Sequence, residues 1–198
     1  MRRIGLTGGI ATGKSYVVRR LRHAGVPVVD ADVLAREAVA PGSGGLAAVV
    51  ARFGEGVLTA DGELDRPRLG ALVFADADAR RDLEAIIHPL VRRGIADFFE
   101  QQPSDTPFAV ADIPLLYETG REIDFDVVIV AACPPEMQLE RLMARNGLSR
   151  DEAAQRMAAQ MPIGEKTERA DHVIDTSGTY DETRAQVARV LRELRVEN

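Results

Sequence analysis

Apolar positions change period along this chain. Residues 3–6 form a short apolar run that predicts a buried strand, and residues 7–13 are rich in glycine. Over residues 14–24 the spacing of Val17, Val18 and Leu21 becomes helical, and Gly25 stands where a helix end favours a left-handed residue. A second apolar run, residues 26–30, ends on Asp30. Strand, loop, helix and strand in about 30 residues is the βαβ pattern of a parallel sheet.

Residues 31–102 then carry helical spacing without a strong strand, so a helical insertion is expected. Within it, residues 41–45 read as a loop, and Asp65 reads as an N-cap with Pro67 in the first turn after it. Pro89, preceded by His88, predicts a broken or restarted helix. Strand-like runs return at 108–111, ending in Asp112, and at 127–132, closed by Pro134 and Pro135. Residues 137–145 and 150–161 are helical in pattern, joined by Asn146-Gly147; residues 172–175 predict a fifth strand and 180–196 a final amphipathic helix. The expected fold class is therefore α/β, a parallel sheet of about five strands wrapped by helices. In such sheets ligands sit beyond the carboxyl ends of the strands. That rim holds the loop after Leu6, the Asp30-Ala31-Asp32 stretch and Asp112.

Composition narrows the chemistry. An apolar fraction of 45% over 198 residues suffices for a sizeable core. The longest apolar run, residues 127–133, is far short of the ~18 residues of a membrane span. Met1-Arg2-Arg3 leads directly into a strand with no apolar leader, so neither a secretory signal nor a membrane partner is expected. The lone Cys133 cannot form an internal disulfide and fits a cytoplasmic location. With a net charge of −6, bulk attraction to nucleic acid is not expected, and any polyanion needs a local cluster of donors. Of the 25 basic residues only Lys14 and Lys166 are lysines.

The strongest chemical signal is Gly8-Gly9-Ile10-Ala11-Thr12-Gly13-Lys14-Ser15, which matches G-x-x-x-x-G-K-[ST] at every fixed position. Glycines let the chain curl until several N–H groups point inward, and the following helix start favours an anion. Lys14 offers a full charge to the outer phosphates and Ser15 a hydroxyl for Mg²⁺. From the residue frequencies, a chance match is expected about once in a thousand such chains. The loop alone leaves three classes open: a small-molecule kinase, a GTP switch and a motor ATPase. Neither lysine lies in a guanine-reading Asn/Thr-Lys-x-Asp, and the third strand ends Asp112-Ile113 rather than Asp-Glu, which favours the kinase.

Several stretches taken together are more specific than the loop. Residues 4–15, Asp30-Ala31-Asp32, His88-Pro89-Leu90, Ile113-Pro114-Leu115-Leu116-Tyr117-Glu118, Gln138-Leu139-Glu140-Arg141-Leu142 and the run from Gln160-Met161-Pro162 to Ala170-Asp171-His172-Val173-Ile174-Asp175 resemble dephospho-coenzyme A kinases in the same order over nearly the whole chain. The resemblance implies a three-layer phosphate-loop kinase fold. It also implies transfer of the ATP γ-phosphoryl group to the ribose 3′-hydroxyl of dephospho-coenzyme A, giving coenzyme A and ADP. The expected division is a nucleotide-binding core at 1–30, 103–135 and 166–198, an acceptor region at 31–102 and a lid at 136–165. One departure is Tyr16, where the family usually has threonine; it brings bulk to the first helical turn.

Asp32 follows the second strand, where its carboxylate either caps a helix or takes the proton of an acceptor hydroxyl; the resemblance implies the catalytic role. Asp30 is expected to cap or to hold a water. Asp112 either stabilises a turn or ligates Mg²⁺ with Ser15. Arg141 and Arg145 lie four apart on one helix face, which is either solvated or, as the resemblance implies, a lid face aimed at phosphates. Lys14, Asp32 and Arg141 are thus the expected catalytic residues. ATP is expected at Gly9, Ala11, Thr12, Gly13, Lys14, Ser15, Tyr16 and Arg145. By resemblance the acceptor is expected at Thr7, Asp32, Arg36, His88, Leu115 and Tyr117, although a lone histidine is commonly structural. Partners are expected to be small molecules only, ATP and dephospho-coenzyme A, with no nucleic acid and a monomeric chain. A kinase for a nucleoside or nucleotide and a slow or inactive nucleotide switch are the alternatives.

Overall fold

Strands β1 (Arg2–Gly8), β2 (Val28–Asp30), β3 (Phe108–Asp112), β4 (Val127–Ala132) and β5 (His172–Asp175) form one sheet in the order β2-β3-β1-β4-β5. The computed structural model describes residues 1–196. It divides into two compact units, residues 1–29 with the chain from 102 onward, and residues 30–101. The helices are α1 (Lys14–His23), α2 (Ala31–Glu37), α3 (Gly44–Phe53), α4 (Arg66–Ala75), α5 (Ala77–Glu100), α6 (Pro135–Asn146), α7 (Arg150–Ala158), α8 (Ile163–Glu168) and α9 (Tyr180–Val196).

In the first unit β1 pairs in parallel with β3 on one side and β4 on the other, and β4 pairs in parallel with β5. Register sets Asp112 opposite Leu6 and Ala131 opposite Gly8, so the ends of three strands share one rim. Every residue of β3 and β4 is buried. This is why the run Val127–Ala132 is continuously apolar: a parallel strand is covered on both faces and needs no alternation. Val17 and Leu21 of α1 and Val187, Val190, Leu191 and Leu194 of α9 join Ile4, Leu6, Ile129 and Ile174 in one core cluster. Each such side chain contributes about 1.5–3 kcal/mol when fully buried. Gly5 allows a close approach to β1: a Cβ there would lie 2.7 Å from Leu116 Cδ1. A small separate core, Leu139, Leu142 and Ala153, is flanked by Met143, Leu148 and Met157, and Ile10 and Ala11 pack against it.

The second unit is helical. Val39, Val49, Val57 and Leu69 form its core, with Phe53, Leu64, Ile86 and Ile87 against them. Asp65 caps α4, accepting the Arg68 N–H at 3.0 Å, as the sequence predicts. Two expectations fail here. Pro89 does not break a helix, because α5 runs 24 residues through it. The proline removes one N–H and one backbone bond to Ala85, but Ala79 before it and Val91, Ile95 and Phe99 after it are buried and hold both halves in line. Residues 41–45 are not all loop either: Ser43 accepts the Leu46 N–H at 3.1 Å and starts α3 at Gly44. In the first unit, the expected helix 150–161 ends at Ala158, and α8 follows unanticipated.

Candidate active site

The loop between β1 and α1 is built for an anion. Gly13 (φ 83°) is the residue before α1, and no side chain caps that helix or brings a carboxylate into its first turn. The Lys14 and Ser15 N–H groups therefore stay available at the positive end of the helix, while the Tyr16 N–H donates to the Gly13 carbonyl at 2.9 Å. Ala11 has φ 60° and, among the described residues, is the only non-glycine at positive φ. Such a conformation costs an L-residue about 1–2 kcal/mol and must be held by its surroundings.

Side chains from distant segments hold it. Gln138 is buried in α6, and its Nε2 donates to the Ile10 carbonyl at 2.9 Å. Gln160 Oε1 accepts the Ile10 N–H at 2.7 Å. Both backbone groups of the residue before Ala11 are thus gripped. The hydroxyl and the N–H of the buried Thr12 both donate to the Gly9 carbonyl, at 2.9 and 3.3 Å, so Thr12 closes the turn of the loop. The buried Thr176 hydroxyl sits between the carbonyls of Thr12 and Ala132, the latter at 2.9 Å, and donates to one at a time.

Lys14 at the start of α1 and Asp112 at the end of β3 form an ion pair, with 16% and 7% of their side chains exposed. The predicted cation and the predicted metal-binding carboxylate are therefore together. Ser15 opens α1 beside them. Arg141 Nη2 donates to the Thr176 carbonyl at 2.8 Å, which brings that arginine to the strand end behind Thr12. Arg145 is not brought there. It is exposed and its Nε donates to Asn146 at the end of its own helix. Tyr16 stacks on Tyr180, ring centroids 4.7 Å apart, and donates its hydroxyl to the Tyr180 carbonyl at 3.1 Å.

The segment after β3 lies against β1. The Ile113 N–H donates to the Leu6 carbonyl at 2.9 Å, and the buried Thr7 hydroxyl donates to the Pro114 carbonyl at 3.0 Å. Leu115 is exposed, whereas Tyr117 is buried under the Arg169 guanidinium, 4.5 Å from its ring centroid. The Tyr117 hydroxyl has no hydrogen-bond partner, and burial pushes it above its ordinary value of 10.0.

In the second unit, Asp30 caps α2 by accepting the N–H groups of Asp32 at 2.8 Å and Val33 at 3.3 Å. The Asp32 carboxylate, at the second position of the helix, is exposed and is not the cap. Arg36 and His88 are also exposed. A cavity of about 590 Å³ in this unit is lined by Leu34, Glu37, Ser43, Pro89 and Leu90 among others; neither Arg36 nor His88 lines it, although each is next in sequence to a residue that does.

Gln138, Gln160, Glu118, Lys166 and Thr176 were not among the expected site residues. Their partners lie far away in sequence. The available hints were polar side chains inside apolar helical spacing and, for Lys166, a lysine in a chain that otherwise uses arginine. Among the described residues no group of three or more His, Cys, Asp or Glu forms a metal cage, and no helix is long and apolar enough to cross a membrane.

Comparison with known proteins fits this geometry. The family model for dephospho-CoA kinase matches residues 2–182. A dephospho-CoA kinase of Anaeromyxobacter dehalogenans is 50% identical over 196 residues, covering 98% of this chain and 93% of that protein. A crystal structure from Thermus thermophilus superposes with a TM-score of 0.84 at 38% identity, covering 98% of this chain and 97% of that one. The dephospho-CoA kinase of Campylobacter jejuni gives a TM-score of 0.75 at 28% identity, covering 97% and 96%.

Proposed function

The chain belongs to the dephospho-CoA kinase family, and we propose that its phosphate loop, Asp32 and Arg141 together carry the ATP γ-phosphoryl group to the ribose 3′-hydroxyl of dephospho-coenzyme A. The chain is an ATP-dependent phosphotransferase with an alcohol acceptor, and its products are coenzyme A and ADP. The observation that carries the residue assignment is the uncapped start of α1 beneath the glycine-lined loop, with the Lys14–Asp112 pair beside it.

In this reading the N–H groups of Ala11, Gly13, Lys14 and Ser15 line the phosphates, whereas those of Thr12 and Tyr16 donate to the Gly9 and Gly13 carbonyls and brace the loop around them, with Gly9 leaving room for the loop to turn. Gly9 supports this directly, since a Cβ there would collide with the Gln138 amide. Lys14 neutralises the outer phosphates. One hydroxyl, Ser15, and one carboxylate, Asp112, are a donor set that fits Mg²⁺, which is commonly held by one or two carboxylates together with substrate phosphates. When bound, the ion supplies charge neutralisation on the β- and γ-phosphates.

Asp32 holds the acceptor hydroxyl and takes its proton as the new O–P bond forms and the bond to the ADP oxygen breaks. Its exposure, and the fact that Asp30 rather than Asp32 caps α2, support that role. Arg141 meets charge developing on the transferred group, and Arg145 joins it only if the 136–165 lid region moves. The exposure of Leu115, Arg36 and His88 supports contacts with the acceptor, while Tyr117, whose hydroxyl is buried, is assigned there by the family resemblance alone. Thr7 contributes through Pro114. The reading is completed by a cytoplasmic monomer.

The test is ADP release from Mg-ATP with and without dephospho-coenzyme A, with nucleosides, nucleoside monophosphates and shikimate as comparison acceptors. Stimulation by dephospho-coenzyme A alone is expected. Stimulation by another acceptor instead would keep the transfer chemistry and discard this substrate.

A further inference from the structure

Lys166 is a buried charge that the scheme above does not use. Its side chain in α8 is 0% exposed, and its ammonium has Glu118 Oε1 at 2.8 Å, the Pro114 carbonyl at 3.2 Å and the Gly8 carbonyl at 3.4 Å. An ammonium has three N–H donors, so each finds one acceptor. Buried ion pairs of this kind are often replaced by apolar side chains without loss of stability. Stability is therefore a weak reason for a lysine here, and the identity of the acceptors is more informative.

Gly8 ends β1 and opens the phosphate loop. Pro114 lies two residues beyond Asp112, and its carbonyl also accepts the Thr7 hydroxyl. Glu118 Oε1 also accepts the Met161 N–H at 2.9 Å, one residue after the Gln160 that grips Ile10. One ammonium thus joins the loop's first carbonyl, the segment after the Asp112 strand and the end of the Gln160 segment.

We propose that Lys166 is a positioning residue for the phosphoryl donor. It fixes the Gly8 carbonyl against the 114–118 segment, and so sets the direction of the loop N–H groups and the relative placement of Lys14 and Asp112. It touches no reacting atom. The inference rests on the assignment of the loop to ATP.

The experiment is steady-state kinetics of Lys166→Met and Glu118→Gln with Mg-ATP and dephospho-coenzyme A varied separately, alongside thermal melts. A displacement of about 1 Å at such a site costs roughly a hundredfold. Lys166→Met is therefore expected to lose about that factor in kcat/KM for Mg-ATP, through a raised KM. A purely structural role would shrink the folded fraction, lowering kcat and leaving both KM values alone; that result overturns the proposal. If Lys166→Met does not fold, Glu118→Gln decides, because it keeps an acceptor but removes the counter-charge: a raised KM for Mg-ATP supports the proposal and an unchanged one overturns it. Wild-type protein that fails to release ADP with dephospho-coenzyme A would overturn the donor reading instead.

Discussion

Replacing Gln138 by methionine keeps the length of a buried side chain and deletes its amide. The amide holds the Ile10 carbonyl at 2.9 Å, next to Ala11 at φ 60°. A buried carbonyl left without its partner costs about 1–3 kcal/mol, similar to the roughly 1–2 kcal/mol by which Ala11 gains on leaving the left-handed region. The loop is then expected to relax, with Gln160 still holding the Ile10 N–H from the other side. If that cost falls on the phosphate-binding geometry, affinity for Mg-ATP drops about 5- to 150-fold. Isothermal titration with Mg-ATP measures it, and a thermal melt of the same sample separates the alternatives. In a chain of this size, 1 kcal/mol of global stability shifts Tm by about 2–4 °C. A fall in Tm with wild-type affinity, or wild-type values for both, would refute the idea that the clamp shapes the loop.

Asp32→Asn is expected to bind both substrates normally and lose about 10²- to 10⁴-fold in kcat; near-normal turnover would remove Asp32 from proton transfer. Asp112→Asn should raise the Mg²⁺ concentration needed for half-maximal rate, and an unchanged requirement would leave Asp112 as a partner of Lys14 alone. Acid stability provides a third check. Donors at helix starts hold three carboxylates below their ordinary values: Ala79 and Asp78 N–H for Asp76 (3.8), Ser149 hydroxyl and N–H for Glu152 (4.5), and Thr179 N–H and hydroxyl for Glu182 (4.5). A depressed carboxylate contributes stability that is fully present above its unfolded value and lost as pH falls through its folded one. Tm should therefore be level above about pH 5 and decline on acidification below about pH 4.5, and a rise over that interval contradicts the capping account.

Local features were readable from residue order. The loop at residues 8–15, the buried run Val127–Ala132, the Asp65 cap and the final helix Tyr180–Val196 each depend on neighbours within a few positions, and each is where its pattern predicts. Pro89 misled because its local penalty is outweighed by apolar packing on either side of it. Gly44 and Gly45 resemble a loop, yet they begin α3, where a Cβ on Gly45 would collide with the Ala38 carbonyl. Asp30 caps α2 as expected, and its capping bonds leave the Asp32 carboxylate outside them. The grip of Gln138, Gln160 and Lys166 on the loop spans 128, 150 and 158 positions. No periodicity signals a pairing at such a range.

Those separations also have a meaning in time. A ribosome adding about 5–20 residues per second reaches Gln160 roughly 8–30 s after Ile10. Until then β1, whose two edges pair with β3 and β4, has both edges open in turn: the first until residue 108 emerges, the second until residue 127. Nucleotide binding is therefore a late property of the nascent chain. A protein truncated before α6 has the whole loop motif and lacks Gln138, Gln160 and Lys166, which grip it. While its edges are open, the apolar strand that ends in the loop is exposed to association and is a segment on which a holding chaperone can act.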